Sequence, residues 1–106
     1  LFPYTTLFRS LRGQFTYINE GQKPRVVGSL GDGDQLKSLI KRGDEWNEYH
    51  IIARGNVLIH ILNGHVMSEV IDDDAKQRKM EGELGLQLHM GPPMKVEFRN
   101  ILLKNL

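Results

Sequence analysis

Apolar and polar residues alternate with a period of two along most of the chain. In Gln14–Asn19 (QFTYIN), Phe15, Tyr17 and Asn19 fall on one side and Gln14, Thr16 and Ile18 on the other, a strand pattern. Glu20–Pro24 is rich in turn formers, and Arg25–Ser29 (RVVGS) resumes an extended run. Gly31-Asp32-Gly33-Asp34 then breaks the alternation. Leu36, Leu39 and Ile40 recur at helical spacing, so a short helix is expected near residues 34–41, capped by Asp32 or Asp34 and stopped by Gly43. Trp46–Arg54, Val57–Leu62 and His65–Ile71 read as three more strands. Gly55-Asn56 and Asn63-Gly64 separate them, the second pair being the strongest short hairpin signal because both residues accept positive φ. Asp72-Asp73-Asp74 is expected to cap a helical turn in Ala75–Lys79. Glu83–His89 and Lys95–Leu103 complete about seven strands, linked by Met90-Gly91-Pro92-Pro93. Short strands with one small helix give an all-β class, a sandwich or barrel, since too few helices exist for parallel crossovers.

Composition narrows this picture. The 106 residues suit one domain, and the hydrophobic share of 40% is ordinary for a globular fold. Lys+Arg 14 against Asp+Glu 13 leaves a net charge of +1, which argues against a nucleic-acid partner. No apolar run is long enough to span a bilayer. The absence of cysteine excludes a disulfide scaffold, a thiolate nucleophile and a Cys-zinc site. Leu1–Ser10 (LFPYTTLFRS) has neither a signal-peptide layout nor the alternation of the later strands. It reads as an edge strand or as a segment foreign to the domain. On the second reading the domain is residues 11–106.

A two-residue Asn63-Gly64 loop sets Leu62 opposite His65, Ile61 opposite Val66, His60 opposite Met67, Ile59 opposite Ser68 and Leu58 opposite Glu69. Opposed residues share a face. Val57, Ile59, Ile61, Val66 and Val70, with Ser68, are then the expected core face. Leu58, His60, Leu62, His65, Met67 and Glu69 are the expected outer face. Further on, Leu84, Leu86, Leu88, Val96 and Phe98 point inward. Gln87, His89, Lys95, Glu97 and Arg99 point outward. If these outer faces belong to one sheet, His60, Gln87, His89 and Arg99 meet there.

The segments VVGSLGD (Val26–Asp32), EWNEYHIIARGN (Glu45–Asn56), IHILNG (Ile59–Gly64) and LGLQLHMGPPMKVEFRNILLK (Leu84–Lys104) carry a resemblance. Their order and spacing are similar to those of the 3-keto-disaccharide hydrolase domain family, over nearly all of the chain after residue 10. The resemblance implies an antiparallel β-sandwich of the lectin/glucanase jelly-roll type. It also implies a glycoside or oligosaccharide as substrate, and a parent protein that is periplasmic or extracellular. Family domains are longer than this chain and carry further polar site residues upstream, so the resemblance implies that residues 11–106 are the C-terminal part of a single β-sandwich domain incomplete at its N-terminus.

The activity implied is cleavage of O-glycosidic bonds in 3-keto-glucosides and 3-keto-disaccharides. The C3 ketone acidifies the C2 proton, a base removes it, the C1–O bond leaves by elimination, and water adds. No paired glycosidase carboxylates are then needed. The site needs a base active near neutrality, which suits histidine, and a cationic group or divalent metal at the enolate oxygen. On this resemblance His89 is the first candidate for base or metal ligand and His60 the second. Arg99 stabilises the enolate, Gln87 and Trp46 bind the sugar, and Glu69 is recommended by the hairpin register alone. A divalent metal is admitted without assigned ligands.

Each residue has a plainer alternative. His89 can hydrogen-bond the Gly-Pro-Pro loop, His60 can be a cross-strand partner of Met67, and Trp46 can be core. Arg99 can be half of a surface ion pair. His50 and His65 read as solvated. Asp72-Asp73-Asp74 lacks the spacing of a calcium loop and reads as a cap. Gly28–Gly33 lacks the order of a phosphate loop. Two other functions stay open: a non-catalytic carbohydrate-binding sandwich, which would rely on exposed aromatics, and an inactive fragment.

Overall fold

Five strands and one short helix follow along the chain: β1 (Gln14–Ile18), β2 (Arg25–Ser29), α1 (Gly33–Lys37), β3 (Tyr49–Arg54), β4 (Val57–Leu62) and β5 (His65–Asp72). They come from a computed structural model that describes residues 11–86 and 91–106. The strands form one sheet in the order β2-β1-β5-β4-β3. Pairs β1–β2, β3–β4 and β4–β5 are antiparallel, as the short turns require. β1 and β5 pair in parallel, so the sheet is mixed rather than purely antiparallel. That pairing is possible because everything from β2 to β4 lies between the two strands, enough chain for a crossover.

The central turns are as the sequence predicts. Asn63 (φ 51°) and Gly64 (φ 80°) both sit in the left-handed region, so a two-residue loop joins β4 to β5. Asp32 caps α1, its carboxylate accepting from the N–H groups of Asp34 and Gln35. The helix lies earlier than expected. Ser38 Oγ donates to the Gln35 carbonyl, and Leu39 and Ile40 continue in tight turns instead of helix.

The hairpin register differs from a regular ladder by one residue. Leu62 pairs with His65 and Ile61 with Val66, but His60 then pairs with Ser68, Ile59 with Glu69 and Leu58 with Val70. Met67 is the extra residue of a β-bulge, and its carbonyl accepts from Gly13 N–H at 2.7 Å. Gly13 has φ +87°, and a Cβ there would meet the Gly31 carbonyl oxygen at 2.5 Å, so only glycine fits this approach. The bulge reverses the expected core. Val70 and Ser68 now share a face with Leu58 and His60. Ile18, Leu58 and Val70 form the buried cluster, with Thr16 fully buried beside them on the same face. Met67 is buried, and Val66, expected in the core, is exposed.

The two last expected strands are not found among the described residues. Residues 83–86 and 95–103 make no ladder, and Leu84, Leu86, Val96 and Phe98 are exposed instead of inward. Alternation permits extended backbone but does not supply a neighbour for its N–H and C=O groups. Asn100, with φ 53°, also interrupts the Lys95–Leu103 run with a left-handed residue. Leu88 and His89, the end of the other run, lie outside the described residues, as do residues 1–10. The described protein is therefore mostly β, one five-stranded sheet with little helix. No described helix is long and apolar enough to cross a membrane.

Candidate functional site

The sheet face that carries the core also carries His60. The Gly55-Asn56 turn pairs Ile51 with His60 and Tyr49 with Leu62, so Tyr49 and His60 are diagonal neighbours on that face. The Tyr49 hydroxyl lies 2.8 Å from His60 Nδ1, and the two rings meet edge to face with centroids 5.5 Å apart. Ser68 is opposite His60 across β5. His60 Nε2 is shielded from solvent and has no hydrogen-bond partner among the described residues. A buried polar nitrogen left unsatisfied costs roughly 1–3 kcal/mol, so it is a feature to be explained. Desolvation lowers the His60 pKa below the ordinary 6.5 and raises that of Tyr49 above 10.0. Both groups are thus neutral near pH 7.

A polar knot holds this pair in register. Asn63 accepts through Oδ1 from Glu48 N–H and donates through Nδ2 to the Leu39 carbonyl and to Asn47 Oδ1. Asn47 in turn bonds both backbone groups of Lys41. The turn residue that sets the β4–β5 hairpin therefore also fixes the chain entering β3, one residue before Tyr49.

Arg99 and Trp46 form a second pair. The guanidinium carbon stands 4.0 Å from the centroid of the indole ring, a cation–π contact between exposed groups. Trp46 precedes β3 and Arg99 follows β5, so neither lies on the strands that carry Tyr49 and His60. Glu69 lies on the opposite face from His60, paired with Ile59 and Phe15. The bulge at Met67 removes the register that recommended it. Gln87 and His89 lie outside the described residues. His50 and His65 are exposed.

The three aspartates are bound up structurally. Asp72 accepts from Asp74 N–H, and Asp74 caps the turn by accepting from Lys76 and Gln77 N–H. Asp73 accepts from the Tyr17 hydroxyl and from Asn56 Nδ2, which ties the ends of β1, β4 and β5 together. The cap expected from the sequence is present, at a turn centred on residues 75–77. No three His, Cys, Asp or Glu side chains among the described residues come close enough to hold a metal ion.

Sequence reasoning passed over Tyr49, Asn47 and the side chain of Asn63. The signal for Tyr49 was available: a two-residue Gly55-Asn56 loop puts it diagonal to His60 by counting alone. The Asn47–Asn63 bond joins residues far apart in sequence, and no local pattern announces it.

Neither a curated protein nor a solved structure matches the chain. Residues 12–104 match a family described as the 3-keto-alpha-glucoside-1,2-lyase-like domain. That match takes in β1 to β5, the Tyr49–His60 pair and the Arg99–Trp46 pair, nearly the whole described chain. The protein therefore belongs to the 3-keto-alpha-glucoside-1,2-lyase-like domain family.

Proposed function

We propose that this domain cleaves the glycosidic bond of 3-keto-glucosides and 3-keto-disaccharides by elimination and hydration. The family name implies 3-keto-glycoside hydrolase or lyase activity. The observation that carries the reading to particular atoms is His60. It is a half-buried, neutral imidazole with one nitrogen fixed by Tyr49 and the other shielded and without a partner. On this reading the groups that shield this nitrogen part to admit a substrate oxygen, which then meets little competition from water.

A base takes the C2 proton, which the C3 ketone has acidified, and the electron pair becomes an enolate on the C3 oxygen. The enolate collapses to the ketone as C1=C2 forms and the C1–O bond breaks, its oxygen leaving as an alcohol with a proton from an acid. Water adds its oxygen to C1 and its proton to C2, giving a free 3-keto sugar. His89 is proposed as the base, Gln87 as a ligand for sugar hydroxyls, and Arg99 with Trp46 as a cationic and aromatic wall of the sugar site. Glu69 has no place in a site on the His60 face. A divalent cation, held in part by residues outside those described, would supply a Lewis acid at the enolate oxygen. A jelly-roll sandwich around the sheet and export of the parent protein belong to the same reading. The non-catalytic sugar-binding alternative would rest on an open aromatic face, and Arg99 covers one face of Trp46.

The test is release of 3-keto-glucose from a 3-keto-glucoside by the purified protein. The wild type is expected to turn over, and His60→Ala to lose about 10²–10³-fold in kcat. Saturable sugar binding with no release would overturn the enzymatic reading.

A further inference from the structure

The family resemblance offers His60 as a base or a metal ligand, and its contact with Tyr49 points elsewhere. Both roles need a lone pair on the free ring nitrogen, Nε2. Which nitrogen carries the proton depends on the direction of the hydrogen bond at Nδ1. Two directions are possible at 2.8 Å: the phenol donates to Nδ1, or Nδ1–H donates to the phenol oxygen. The phenol is much the stronger acid, with an ordinary pKa near 10, while an imidazole nitrogen is a far better base than a phenol oxygen. The stronger acid donates to the stronger base, so Tyr49 O–H donates and Nδ1 accepts. A neutral ring with Nδ1 unprotonated must carry its hydrogen on Nε2. The titratable group in contact with the ring is Tyr49 itself, from β3. Ser68 faces it from β5, and no ionised side chain is paired with it among the described residues.

We propose that Tyr49 is a positioning residue that holds His60 as the Nε2–H tautomer, so that the shielded ring nitrogen donates a hydrogen bond to the C3 oxygen of a 3-keto sugar instead of removing the C2 proton. This rests on the function proposed above. A neutral donor at that oxygen gains strength as the enolate forms, because the acceptor changes from a ketone to an anion. It also explains the otherwise unsatisfied Nε2: its partner is a ligand oxygen that enters a desolvated contact. The division of labour follows. The base is a different residue, and His60 with Tyr49 forms the electrophilic side of the site.

Long-range ¹H–¹⁵N NMR of the whole chain, near neutral pH and without any sugar, reads the tautomer directly. The wild type should show His60 protonated on Nε2 and bare on Nδ1, and Tyr49→Phe should move it toward a mixture of tautomers. A wild-type ring protonated on Nδ1, or one unchanged by Tyr49→Phe, overturns the role of Tyr49 whatever the activity. Turnover of a 3-keto-glucoside tests the donor. Glutamine can place an N–H near the position of Nε2 but cannot act as a base at neutral pH. His60→Gln should therefore keep kcat within about 10-fold of wild type while His60→Ala falls about 10²–10³-fold. Equal loss in the two variants would return His60 to the role of base. A wild type that shows the Nε2–H tautomer but releases no sugar would overturn the proposed function and leave the positioning by Tyr49 standing.

Discussion

Val57–Leu62 and Lys95–Leu103 are both short runs of alternating apolar and polar residues, and they end in opposite states. Val57–Leu62 lies between two antiparallel neighbours, and its Leu58 is 7% exposed against Ile18 and Val70. Lys95–Leu103 pairs with no strand among the described residues, and its Phe98 is 54% exposed. The first run is flanked by two-residue turns, Gly55-Asn56 and Asn63-Gly64, that bring partners alongside at small entropic cost. The second follows Pro92-Pro93, has no hairpin turn of its own, and is broken at Asn100. Alternation sets which residues would share a face. A neighbouring strand decides whether there is a face at all.

Truncation should separate the two runs most sharply. Leu58→Ala removes a member of the buried cluster and should destabilise the fold by about 2–4 kcal/mol, whereas Phe98→Ala should change it by no more than about 0.5 kcal/mol. Urea unfolding of both variants checks this, and equal losses would mean that Phe98 is buried in solution and the contrast is wrong.

A smaller effect probes what makes the first run a hairpin. Asn63→Ala deletes three side-chain hydrogen bonds to Glu48, Leu39 and Asn47 and places alanine at positive φ. The expected loss is about 2–3 kcal/mol. Asn63→Gly keeps the turn geometry and should lose less. If glycine costs as much as alanine, the knot matters and the backbone conformation does not.

The smallest effect is in pH. His60 is more easily protonated in the unfolded chain, near its ordinary 6.5, than when desolvated in the sheet. Just below that pH the unfolded state binds more protons, so stability is full above it and falls as pH drops. The thermal midpoint should fall from pH 7.5 to 5.5, and by less in His60→Gln. Identical pH slopes would place the His60 ring in water.

Much of the sheet was legible because turn chemistry is local. Asn63-Gly64, Gly55-Asn56 and Asp32 announce their conformations through their own φ preferences and capping capacity, and the strands β2 and β4 fall where alternation puts them. The reversed core was not legible, because the bulge at Met67 depends on Gly13, which reaches its carbonyl from the start of the neighbouring strand β1, far away in sequence. One inserted residue then moved Val70 and Glu69 to opposite faces from those expected. The candidate site was half legible: His60 stood out as a histidine in an apolar strand, while its dependence on Tyr49 needed the β3–β4 register.

The sequence by itself determined the β class, the hairpin turns, the capped helix and the family, because each rests on neighbouring residues or on the order of short segments. Only the tertiary structure decided which strands have partners, which face is the core, and which nitrogen of His60 is free. Those outcomes depend on contacts between distant residues, and a period of two in the sequence fits either face equally well until one of them is covered.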